Sequence, residues 1–80
     1  MHKEDVQSLL DRSGFTVTLN KKIGGTSRVH MMHVGKTYDK LVDYIIDESL
    51  NTTKAIWAYT MEELTRIEST EDLENWLNRL

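Results

Sequence analysis

The 80-residue sequence contains no cysteine, no proline, only four glycines and no long apolar run. Without cysteine, neither a disulfide nor a thiolate metal cluster can staple the chain, so its fold must rest on packed apolar side chains. The longest uninterrupted apolar stretch runs from Ala55 to Tyr59, far short of the ~20 residues that span a bilayer, and no membrane partner is expected. The opening Met1-His2-Lys3-Glu4-Asp5 lacks the basic and then apolar run of a secretory signal, which makes cytoplasmic the expected location. Domains usually hold about 100–150 residues, so residues 1–80 are expected to form a single one.

What is present is charge divided by position. The formal net charge is −3, yet residues 12–38 hold Arg12, Lys21, Lys22, Arg28 and Lys36 with no acid, while residues 39–80 hold ten acids against four bases. Distribution governs long-range fields more than the total does, so either pole is a candidate binding surface.

Val6, Leu9 and Leu10 recur at helical spacing behind Glu4 and Asp5, with Gly14 as a stop, which predicts a helix over about residues 3–13. Phe15, Val17 and Leu19 alternate with Thr16, Thr18 and Asn20, a strand signature. Gly24-Gly25 fits a hairpin turn, with Ser27 to Val34 returning. A two-residue loop pairs Lys21 with Arg28, Leu19 with His30, Val17 with Met32 and Phe15 with Val34; this register assembles one apolar face and is preferred to that of a three-residue loop. It also sets two cations opposite each other, which makes the turn end a candidate anion site.

Thr37 is a candidate cap for a helix in which Tyr38, Leu41, Val42, Ile45, Ile46 and Leu50 form an apolar stripe and Asp39, Asp43 and Asp47 stack along one edge. Lys54 to Thr60 reads as a strand. Residues 61–68 are ambiguous: Thr60 with Glu63 matches a capping box, but a fourth strand is slightly favoured. Ser69 or Thr70 caps a last helix, with Glu71 and Asp72 in its first turn and Leu73, Trp76, Leu77 and Leu80 on one face. The expected fold is therefore α+β, in the order α-β-β-α-β-(β)-α, with helices packed on one face of a small antiparallel sheet of three or four strands. Its expected core is Phe15, Val17, Leu19, Met32, Val34, Leu41, Val42, Ile45, Ile56, Trp57, Leu73, Trp76 and Leu77.

Several chemistries fail on residues. Val34-Gly35-Lys36-Thr37 has the ending of a phosphate-binding loop, but the motif needs a glycine where His30 stands. His30-Met31-Met32-His33 on a strand would point its two rings to opposite faces, so no metal site is expected. No carboxylate pair or activated nucleophile stands out, and neither an enzyme nor a cofactor is expected.

Surface recognition remains. The expected function is that of a small non-catalytic regulator or inhibitor that occupies the surface of a partner protein, with a phage or mobile-element inhibitor as a guess from size. The candidate partner-binding residues are Asp39, Asp43, Asp47, Glu71 and Glu74, read as acidic helix faces that complement a basic groove. The alternative is nucleic-acid binding through the hairpin 15–34 by Lys21, Lys22, Arg28 and Lys36. A homodimer through an open sheet edge or face is the third expectation.

Overall fold

The computed structural model describes residues 1–34 and 40–80. The expectations for Lys36 and Asp39, and for Thr37 as a cap, fall outside the described residues. The elements are α1 (Lys3–Arg12), β1 (Phe15–Ile23), β2 (Thr26–His33), β3 (Leu41–Asp47), β4 (Ile56–Tyr59), β5 (Leu64–Ile67) and α2 (Thr70–Asn78). The five strands form one antiparallel sheet in the order β1-β2-β3-β4-β5. The fold is α+β, and both helices bury their apolar faces in one core cluster with Val29, Met31, Val42, Tyr44, Ile46, Ile56, Ala58 and Ile67.

Local chemistry accounts for the ends. The His2 imidazole Nδ1 accepts from the Glu4 N–H at the start of α1, and Gly14 follows its end at φ +87°, a conformation that side chains disfavour. Ser69 Oγ accepts from the Asp72 N–H at 3.1 Å and caps α2. Of the two loop residues between β1 and β2, Gly24 alone has positive φ, at +61°, the pattern of a type II′ turn. The Thr60 signal is also real, but it closes a turn rather than a helix: Thr60 Oγ1 accepts from the Glu62 and Glu63 N–H groups between β4 and β5. Residues 64–67 are a strand, as favoured.

Two expectations are corrected. The segment expected as a helix around residue 45 is β3, which gives five strands and two helices among the described residues. Its buried residues are Val42, Tyr44 and Ile46, a two-residue period, and Ile45 faces outward. β-branched Val42, Ile45 and Ile46 lose rotamer freedom in a helix and pack well on a pleated sheet, and here that preference prevails over the helical spacing. In the strand, Asp43 and Asp47 stand about 13 Å apart instead of one helical turn, so their repulsion is small.

The second correction concerns the hairpin register. Ile23 pairs with Thr26, Lys21 with Arg28 and Leu19 with His30, as expected, but Val17 then pairs with Met31 and Phe15 with His33. Thr18 is the extra residue of a bulge, and its Oγ1 donates to the His30 carbonyl at 3.2 Å. The bulge turns Phe15 to the helix side, where it is buried, and leaves Leu19 on the other face. Val17, Leu19, Val34, Ile45 and Trp57 are exposed, and none of them belongs to the core.

Candidate functional site

The two helices cover one face of the sheet and, among the described residues, leave the other open. Register fixes which residues share that open face. One row crosses all five strands: Leu19, His30, Asp43, Trp57 and Arg66. Beside it run Lys21, Arg28 and Ile45 on one side, and Met32, Leu41, Tyr59 and Leu64 on the other. Large apolar side chains here remain in water: Ile23 is 60% exposed, Ile45 and Leu64 55%, Leu19 45% and Trp57 39%.

Polar groups on this face are tied to one another. Arg28 Nη2 donates to Asp43 Oδ2 at 3.0 Å and its Nε to Oδ1 at 3.4 Å, a two-point pair across β2 and β3. This hydrogen bonding and charge hold Arg28 above its ordinary pKa. His30 Nε2 lies 3.2 Å from Asp43 Oδ1 without the alignment of a hydrogen bond. The Arg66 guanidinium sits 5.3 Å over the Trp57 ring while its Nε meets Glu68 Oε1 at 2.9 Å. At the end of β3, Asp47 Oδ1 accepts from the Ser49 hydroxyl at 2.7 Å and from the Ser49 and Leu50 N–H groups, and it is held below the usual carboxylate range chiefly by the Ser49 hydroxyl.

A groove of about 700 Å³ lies on the open face where the 48–55 connection passes β3, with Ile45, Leu50, Ala55 and Trp57 as apolar lining and Arg28 and Lys54 among its polar residues. This volume falls within the usual ~300–1,000 Å³ of ligand sites.

The acidic row expected on helix edges is not assembled. Asp43 and Asp47 lie on β3 and are engaged within the chain, while Glu71 and Glu74 are exposed on α2, on the opposite side of the sheet. The basic set is divided as well: Lys21 and Arg28 face the open side, whereas Lys22, opposite Ser27, lies on the helix side with Glu48 close enough for its charge to be felt. The cation pair Lys21–Arg28 is relieved by Asp43, which counts against a strong anion site at the turn. Ile45 and Trp57, expected in the core, are exposed; for Ile45 the signal is the alternation of Val42, Tyr44 and Ile46 against Asp43 and Asp47.

Among the described residues, no group of three or more His, Asp or Glu side chains is arranged to hold a metal ion, and no helix is long and apolar enough to cross a membrane. No protein-family model matches the chain, and neither a curated protein nor a solved structure is significantly similar to it.

Proposed function

We propose that this chain is a non-catalytic protein-binding module, acting as a regulator or inhibitor by docking the open face of its sheet onto a partner protein. One observation carries the reading: Leu19, Ile23, Ile45, Trp57 and Leu64 stand exposed on one face of the sheet, which no element among the described residues covers. Several large apolar side chains left in water on one face of a small domain mark an interaction site. The composition agrees, since tryptophan, tyrosine, methionine and arginine are enriched at interface cores, and Trp57, Tyr59, Met32, Arg28 and Arg66 all belong to these rows. Affinity capture from a nuclease-treated native lysate tests the reading. The wild-type bait retains a specific protein, and Ile45→Asp, which alters an exposed side chain, retains at least tenfold less, about 1.4 kcal/mol or more of binding. Equal retention by both baits contradicts open-face docking.

A second reading keeps the nucleic-acid alternative, favoured by Trp57 and Tyr59 lying on the same face as Lys21 and Arg28, which supplies stacking groups that the hairpin alone lacks. The pairing of Arg28 with Asp43 and of Arg66 with Glu68 leaves too few unpaired cations on this face to follow a run of phosphates, so the protein reading is preferred. Retention that disappears on nuclease treatment would favour the second.

A further inference from the structure

Resting on the open-face reading, we infer that the groove over Ile45 takes a partner segment with a large apolar anchor flanked by carboxylates.

The anchor follows from the lining. Ile45, Leu50, Ala55 and Trp57 line a groove of about 700 Å³, and both Ile45 and Leu50 are more than half exposed. A leucine or phenylalanine laid on them removes apolar surface from water on both partners, and hot spots form where such an anchor is ringed by groups that exclude water.

The flanking charge follows from which ionic heads face outward. The Asp43 side chain is only 15% exposed and its oxygens already meet Arg28 and His30. Asp47 spends Oδ1 on the turn at Ser49 and Leu50. Arg28, by contrast, has a side chain 54% exposed and directs only Nε and Nη2 at Asp43, leaving the Nη1 donors for a ligand. Lys54 is exposed on the same groove, and Lys21 stands directly across from Arg28. Asp43 and the Oδ1 of Asp47 are thus engaged within the chain, while Arg28 Nη1 and the exposed Lys54, whose charge also bears on Asp47, supply donors at the groove, and a carboxylate on each side of the anchor complements them. A second copy is a poorer occupant, because its own open face would present the same outward cations.

Three capped hexapeptides test this: one with Leu-Phe at its centre and two acidic residues on each side, one with lysines in place of the acids, and one with Ser-Gly replacing Leu-Phe between the acids. Trp57 is the optical probe, since it lines the groove while Trp76 is 2% exposed in the core. The acidic Leu-Phe peptide shifts the Trp57 emission and binds about tenfold more tightly than the lysine version at low salt, and the gap narrows at high salt. Arg28→Gln and Lys54→Gln each reduce that preference, with circular dichroism confirming that they remain folded. Equal or reversed preference, no binding of any peptide, a concentration-dependent Trp57 shift without peptide that marks a second copy, or tighter binding of oligothymidine overturns the inference. If capture still depends on Ile45 when the peptides show no acidic preference, this inference falls and open-face docking stands.

Discussion

Tyr44 has its ring buried on the helix side of β3, with its hydroxyl donating to Met31 Sδ at 3.6 Å. Burial pushes its pKa up to about 12, against a smaller opposing contribution from a hydrogen bond with Gln7. In the unfolded chain the phenol ionises near 10, whereas in the folded chain it stays neutral until about 12. Its contribution to stability is therefore complete below pH ~10 and is lost as pH rises through the folded value, amounting to roughly 2–3 kcal/mol. Denaturant melts between pH 9 and 12 should fall steeply for the wild type and less steeply for Tyr44→Phe; parallel falls would contradict the buried phenol. On the acid side, the Ser27 hydroxyl, buried beneath the connection after β3, donates to Glu48 and is the main cause of that carboxyl's lowered pKa. Stability linked to Glu48 is present above the ordinary carboxyl range and is lost as pH falls through the depressed value. In an NMR titration, Ser27→Ala should move the Glu48 midpoint upward, and an unmoved midpoint would remove the assigned cause. A simpler local test is Gly14→Ala, which forces a Cβ into φ +87° with His33 Nε2 3.5 Å away, and should cost about 1 kcal/mol in urea melts.

Among the elements, β3 decides the architecture. Ile45 and Ile46 are adjacent and chemically identical, yet Ile46 is 2% exposed in the core while Ile45 lies on the open face. Ile46→Ala should cost about 2–5 kcal/mol and Ile45→Ala under about 1, read from urea midpoints. Similar losses would restore the helical stripe, on which both residues would be buried.

The same strand explains how far the sequence could be read. Both helices were legible from their capping and apolar spacing, and the first hairpin from Gly24-Gly25, because those signals are local. The β3 segment satisfied two periods at once, since Leu41, Val42, Ile45 and Ile46 fit a helical stripe while Val42, Tyr44 and Ile46 fit a strand. Only the neighbours settle that conflict: β2 on one side and β4 on the other supply the backbone partners that make the strand. The bulge at Thr18 leaves no mark in an otherwise regular alternation, so nothing in the sequence shows that Leu19 faces away from Phe15 and Val17. With β3 misplaced, Asp43 had no visible link to Arg28, and the open face could not be assembled from the sequence at all.

At the scale of the whole molecule, two layers of differing character result. The helix layer is acidic outside, with Glu4, Asp5, Asp11, Glu71, Asp72 and Glu74 exposed. The outer sheet face is apolar, with charges largely paired internally through Arg28–Asp43 and Arg66–Glu68. The sequence-level division into a basic and an acidic segment does not survive folding, because β2 and β3 bring the two segments side by side. Under the proposed function, the outer sheet face, rather than the acidic helices, meets the partner. A photoreactive amino acid placed at position 57 in one bait and at position 74 in another, each irradiated in a native lysate, distinguishes the two surfaces by their protein adducts. Docking through the sheet face gives a discrete adduct from position 57 and none from position 74. An adduct from position 74 alone would contradict it and return the binding surface to the acidic helix layer.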